Sequence, residues 1–223
     1  MLDLERLSEL AWSGQTPVFA TISGAHLYGF ASENTDVDLR GAFVLPARAI
    51  LGLRGPVETV SRTLEVDGEE IEWVGLDIGK FVRMLTQHNG YVLEQLFSPL
   101  VVVGGPRLDE LRALGRGCIT RKLLRHYRGF AQGRRRLLAR PGATVKHLLY
   151  AYRVYLTGIH VLETGEIQAH LPTLNERFQR SRVAELIERK CAGTEKQELE
   201  PAEAAEHARE LDVLEHELGR AAE

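Results

Sequence analysis

Residues 23–30, Ser23-Gly24-Ala25-His26-Leu27-Tyr28-Gly29-Phe30, and residues 35–40, Thr35-Asp36-Val37-Asp38-Leu39-Arg40, decide how this chain is read. The run that leads into them, Val18 to Ser23, is short and mostly apolar, as a buried strand is. Gly24 and Gly29 bound a turn that enters a short helix, because glycine lets a backbone bend sharply and approach a ligand closely. Asp36 to Leu45 alternates charged and apolar residues and then runs apolar to Pro46, which predicts a second strand. A side-chain period of two puts Asp36 and Asp38 on the same face. Two carboxylates projecting together repel and call for a cation, and a hard divalent ion such as Mg²⁺ or Mn²⁺ takes oxygen ligands that it shares with phosphates.

An isolated Asp-x-Asp describes many exposed strand starts. This pair follows a strand and a glycine turn, where backbone N–H groups and the positive end of a helix favour anions. Strand, glycine turn and a strand carrying Asp-x-Asp make a phosphate cradle facing a metal platform. That is the arrangement nucleotidyl transfer from a nucleoside triphosphate requires. On this reading Gly24, Ala25, His26 and Gly29 lie along the phosphates, and Asp36 and Asp38 hold the metal.

Outward from this centre, Leu4, Leu7, Leu10 and Ala11 predict a helix over 3–13. Glu70 to Leu76 alternates, with Ile71 and Trp73 on one face and Glu70, Glu72 and Val74 on the other. Asp77 caps a helix with Ile78, Phe81, Val82 and Leu85 on one side, Tyr91 to Phe97 is a further helix, and Leu100 to Val103 a last strand. After Gly104-Gly105-Pro106 the pattern turns helical, at roughly 107–114, 119–139, 144–164, 173–192 and 201–221. The layout is α+β. A mixed-sheet domain spans 1–105 and an all-helical one spans 106–223.

With 223 residues and 44% hydrophobic, the chain can bury a core of this size. It has no long apolar run that would span a membrane, and its first residues lack the layout of a signal peptide. Cys118 and Cys191 show no metal-type spacing and read as reduced thiols, so the expected location is cytoplasmic.

The net charge of −3 hides an asymmetry. Between Glu110 and Glu163 there is no acid, and 12 of the 28 Lys and Arg residues lie there. From Glu195 onward ten acids face Lys196, Arg209 and Arg220. The basic stretch suits a polyanion-facing surface, with solvated helix faces as the plainer alternative. Arg134, Arg135 and Arg136 are the candidates to track a nucleic-acid backbone. Lys146, Tyr150, Arg153 and Thr157 fall on one helix face. Lys146 and Arg153 on that stripe suit a triphosphate, and a snorkelling rim around a core is the alternative.

Residues 22–46 resemble the signature of the polymerase-β-type nucleotidyltransferases linked to bacterial RNA repair, the RNA repair pathway DNA polymerase β family. The resemblance continues in Lys80-Phe81, in Asn89 to Pro99, in Lys146-His147 and in Arg153 to Gly165, so it covers most of the chain. It implies a polymerase-β-like nucleotidyltransferase sheet followed by the helical half. It also implies metal-dependent transfer of a nucleoside monophosphate from an NTP to a hydroxyl, with an RNA end as acceptor and RNA-repair proteins as partners. The resemblance further implies a third carboxylate on the strand before Lys80-Phe81. Counting back places it at Glu72, with Glu70 on the same face as the alternative. Glu72 would be a metal ligand or general base beside Asp36 and Asp38.

The sequence departs from the superfamily pattern at Ala25, where a serine usually contacts a phosphate. Backbone amides are then left to make that contact. Two other readings follow: a nucleotide- or nucleic-acid-binding module with weak or no catalysis, and transfer to a small molecule or a protein.

Overall fold

The computed structural model describes residues 3–33, 35–53, 55–66, 68–193 and 197–223. Glu195 and Lys196, which open the acidic stretch, lie outside the described residues. The chain forms two compact units: Met1–Leu27 with Asn34–Cys118, and Tyr28–Glu33 with Ile119–Glu223.

The first unit carries α1 (Leu4–Trp12), β1 (Thr16–Ile22), the start of α2 (Gly24–Tyr28), β2 (Val37–Val44), α3 (Ala47–Ile50), β3 (Thr59–Val66), β4 (Glu69–Asp77), α4 (Ile78–Thr86), α5 (Gly90–Phe97), β5 (Val101–Val103) and α6 (Pro106–Arg116). The strands form one mixed sheet in the order β3-β4-β2-β1-β5. β1 is antiparallel to both β2 and β5, β2 runs parallel to β4, and β3 is antiparallel to β4. β1 sits inside the sheet and is buried from Pro17 to Ile22, which explains its unbroken apolar run.

α1 lays Leu7, Leu10 and Ala11 against Ala20, Ile22, Val37, Leu39, Ile71 and Trp73. Phe19 and Phe81 meet edge to face at 5.2 Å, where α4 covers the sheet. Asp77 caps α4 by accepting from the Gly79 N–H, and Asn89 caps α5 by accepting from the Tyr91 N–H.

The second unit packs α7 (Leu123–Leu138), α9 (Leu171–Phe178), α10 (Ser181–Ala192) and α11 (Pro201–Arg220) around α8 (Val145–Thr164). From Ala151 to Ile159 every residue of α8 is buried, so it is a central helix with no solvent face along that stretch. Thr144 and His147 form a capping box at its start, and Gly165, at φ +73°, closes it.

The α+β layout stands, with three differences from the sequence reading. β3 was not foreseen, because it is a sheet-edge strand whose described side chains are all at least partly exposed, so it carries no apolar alternation. The helix expected over 173–192 is two helices, α9 and α10. Gln179 adopts a left-handed conformation at φ +52° and the Asn175 side chain accepts from the Arg180 N–H, a break made without glycine or proline.

The unit boundary lies at Cys118/Ile119 and not at 105/106. α6 belongs with the sheet: Leu108 is buried, Gly115 lies against Leu96 and Phe97, and Arg112 donates to the carbonyls of Leu96 and Ser98. The segment Tyr28–Glu33, in turn, belongs with the helices. The Tyr28 and Phe30 rings meet Tyr150 at 5.7 and 5.4 Å, and Lys190 Nζ donates to Ser32 Oγ at 3.0 Å. No helix among the described residues is long and apolar enough to cross a membrane.

Candidate active site

β2 and β4 run parallel in a register that puts Asp38 opposite Glu72. Both side chains are half-buried. Asp36 lies just ahead of β2 and is exposed, yet close enough for its charge to act on Asp38. Glu70 is exposed farther along β4. Of the two strand candidates, the register therefore brings Glu72 to Asp38 and leaves Glu70 aside.

Gly24 has φ +62°, and a Cβ built there would come within 1.8 Å of Asp38 Oδ2. The Ser23 N–H donates to the Asp38 carbonyl at 2.8 Å, which ties the turn to the strand. Glycine at 24 is thus required twice, for its backbone conformation and for the carboxylate lying against its Cα. Ala25 is buried, so its methyl group faces the interior. His26 reaches the Thr35 carbonyl with Nε2 at 3.3 Å, a contact that holds the chain just before Asp36. Gly29 does a different job. A Cβ there would come within 2.6 Å of His170 and Pro172, so this glycine permits close packing of the helical unit.

Arg40 is the residue the sequence reading passed over. Two positions after Asp38 on the same strand face, its Nη2 donates to Asp38 Oδ1 at 2.5 Å and to Glu72 Oε2 at 2.7 Å. Nη1 donates to the carbonyls of Leu39 and Glu72, and Nε donates to the Tyr91 hydroxyl at 3.0 Å. The signal was present in the period of two that pairs Asp38 with Arg40. Burial pushes the Asp38 carboxyl above its ordinary range. Arg40 opposes this, and the neighbouring Glu72 and Asp36 add to it.

Among the described residues no group of three His, Cys, Asp or Glu side chains is arranged to hold a metal ion. The Arg40 guanidinium lies between Asp38 and Glu72. Asp36 and Asp38 still offer hard oxygen donors of the kind Mg²⁺ or Mn²⁺ takes. A cavity of about 940 Å³ lined by Trp12, Thr16, Val44, Ile78, Leu111 and Leu114 lies at the opposite end of β1 and β2. It plays no part in this constellation.

In the helical unit, Lys146 is half-buried in the first turn of α8. Arg153 is 0% exposed, with its guanidinium 4.0 Å from the Tyr28 ring centroid. A cation sealed in this way serves packing. Arg134, Arg135 and Arg136 diverge, as consecutive helical residues must. Arg134 lies over Phe130 and Tyr150 at 4.8 and 4.9 Å, Arg135 pairs with Asp212, and Arg136 is exposed.

The acid-free stretch does find carboxylates, because α11 brings them. Arg128 pairs with Glu215 at 2.9 Å, and the Tyr155 hydroxyl donates to the same glutamate. The charge asymmetry along the chain is therefore partly cancelled inside this unit.

A mixed sheet with a glycine turn seated on a strand carboxylate is the nucleotidyltransferase arrangement of the polymerase β class. The chain matches the model of the RNA repair pathway DNA polymerase β family over residues 2–222 and belongs to that family. An uncharacterized protein of Methanocaldococcus jannaschii is 30% identical over 156 residues, which are 70% of this chain and 64% of that protein. The match thus covers less than two thirds of the relative's length. A nucleotidyltransferase-like protein from Exiguobacterium sibiricum, known from a crystal structure, aligns over 96% of this chain and 72% of its own at 16% identity and a TM-score of 0.37.

Proposed function

We propose that this protein transfers a nucleoside monophosphate from an NTP to a hydroxyl on an RNA end, with release of pyrophosphate. The observation that carries the reading is the Asp38 carboxylate set against the Gly24 turn and in register with Glu72. Family membership supports it, and the family's description supports RNA repair as the setting; RNA-repair proteins are the partners this reading proposes.

In this reading Asp36 and Asp38 hold Mg²⁺ or Mn²⁺, and Glu72 completes the carboxylate set beside them. The ion supplies charge neutralisation on the triphosphate. The backbone N–H groups of the Gly24 turn orient the phosphates, and the absence of a side chain at 24 lets them approach. His26 holds the Thr35 carbonyl and so fixes where Asp36 enters. Nucleotide binding by Lys146, in the first turn of α8, is proposed from the sequence alone. Arg153, sealed beneath Tyr28, shapes the unit from inside.

A second reading, a nucleotide-binding module with weak catalysis, draws on the buried Ala25 methyl and on the guanidinium between Asp38 and Glu72. One assay separates the two: purified protein, α-labelled NTPs, Mg²⁺ and mixed RNA. Labelled RNA supports transfer to an RNA end. A labelled small product or labelled protein redirects the acceptor, and bound but unreacted nucleotide favours the module.

A further inference from the structure

Arg40 is 7% exposed and meets acceptors with every part of its guanidinium. Nε has Tyr91, Nη1 has two carbonyls, and Nη2 has Asp38 and Glu72. An arginine side chain offers five N–H donors in a rigid fork, and this geometry supplies five acceptors. The charge is permanent, since guanidinium keeps its proton throughout the range proteins experience. Asp38 and Glu72 therefore already share a cation held by bonds to the strands themselves. Two-metal transferases place two ions about 3.5–4 Å apart to neutralise the attacking and leaving oxygens. Here the space between Asp38 and Glu72 is taken by a cation that cannot dissociate.

We propose that Arg40 stands in for one of the two cations, so that this site takes a single divalent ion, held by Asp36 and Asp38 and shared with the triphosphate. The inference rests on the transferase reading given above. Glu72 then anchors Arg40, and Arg40 is a positioning residue that also sets the local charge. Removing it would leave an uncompensated carboxylate pair, Asp38 and Glu72, in register on adjacent strands, which is where a second ion would enter.

The test is to count ions. Mn²⁺ is titrated into the full chain by calorimetry, with bound ion counted by electron paramagnetic resonance, alone and with a non-reactive NTP analogue. The wild type is expected to take one Mn²⁺ per chain, Arg40→Gln two, and Arg40→Lys, which keeps the charge, one. Two ions in the wild type overturn the proposal and leave the transferase reading standing. One ion in Arg40→Gln also overturns it, because Arg40 is then only structural. No ion in the wild type, together with no labelled product, removes both the proposal and the transferase reading. Should Arg40→Gln fail to fold by circular dichroism, the wild-type count decides alone.

Discussion

The Cα of Gly24 lies against the carboxylate of Asp38 so closely that no side chain fits between them. Gly24→Ala must move Asp38, turn or strand. A left-handed backbone conformation costs a residue with a Cβ about 1–2 kcal/mol, and the clash with Oδ2 adds to this. We expect a lowered unfolding midpoint and, in the fraction that folds, loss of Mn²⁺ binding. Wild-type metal affinity in Gly24→Ala would show that the contact does not position Asp38.

Asp38→Asn keeps an oxygen acceptor for the Arg40 guanidinium while removing the negative charge. The fold should persist, since Glu72 still pairs with Arg40. Nucleotidyl transfer should fall at least about a hundredfold, the scale seen when a group aimed at the reacting centre is lost. Labelled-NTP assays beside denaturant unfolding curves check both halves of this expectation.

At position 25 the structure changes what a serine would do. The Ala25 methyl is 3% exposed, so a hydroxyl placed there is buried. Burying an unpaired hydroxyl costs roughly 1–3 kcal/mol by protein mutational data. Ala25→Ser should therefore lower stability and leave NTP affinity unchanged. Tighter binding by calorimetry would mean that the hydroxyl reaches a phosphate after all.

The three consecutive arginines should separate on single substitution. Arg134→Ala loses two aromatic contacts and about 0.5–2 kcal/mol of stability. Arg135→Ala loses an ion pair to Asp212, worth no more than about 1 kcal/mol. Only Arg136→Ala should act on RNA, lowering the salt slope of binding by about 1 at little cost to stability. Filter binding across a salt series for each variant, with thermal melts alongside, tests this division.

The helical unit should weaken in alkali. Burial, reinforced by the hydroxyl's bond to Glu215, pushes the Tyr155 phenol from 10.0 to about 12. Tyr152 moves in the same direction, through burial and its bond to Glu210. Between the unfolded and folded values the native state binds more protons than the unfolded chain, so stability falls as pH rises through that window. The contribution of these two phenols to the unfolding free energy should be level below about pH 10 and decline above it. Tyr155→Phe should flatten part of that slope, and an unaltered slope would assign the alkaline loss to other groups.

Much of the fold was legible because local chemistry announces it. Gly24 and Gly29 mark the turn, Asp77 marks a helix start, and the apolar run over Val18 to Ile22 marks an inner strand. What was missed had no local mark. β3 is an exposed edge, and the break at Gln179 depends on a side chain four residues earlier. The two glycines of the turn look alike in sequence and serve different neighbours, Asp38 and His170.

By itself the sequence determined the strand, turn and strand order, the Asp36–Asp38 spacing and the helical second half, since these follow from periodicity and from what single residues permit. Only the tertiary structure decided which carboxylate stands beside Asp38, because that is a matter of register between β2 and β4, strands separated by α3 and β3. It also decided that Arg40 lies between Asp38 and Glu72, that Arg153 is sealed under Tyr28, and that α11 returns acids to the basic helices. Each of these joins residues far apart in the chain. Such contacts depend on how packed elements meet, which no short stretch of sequence encodes.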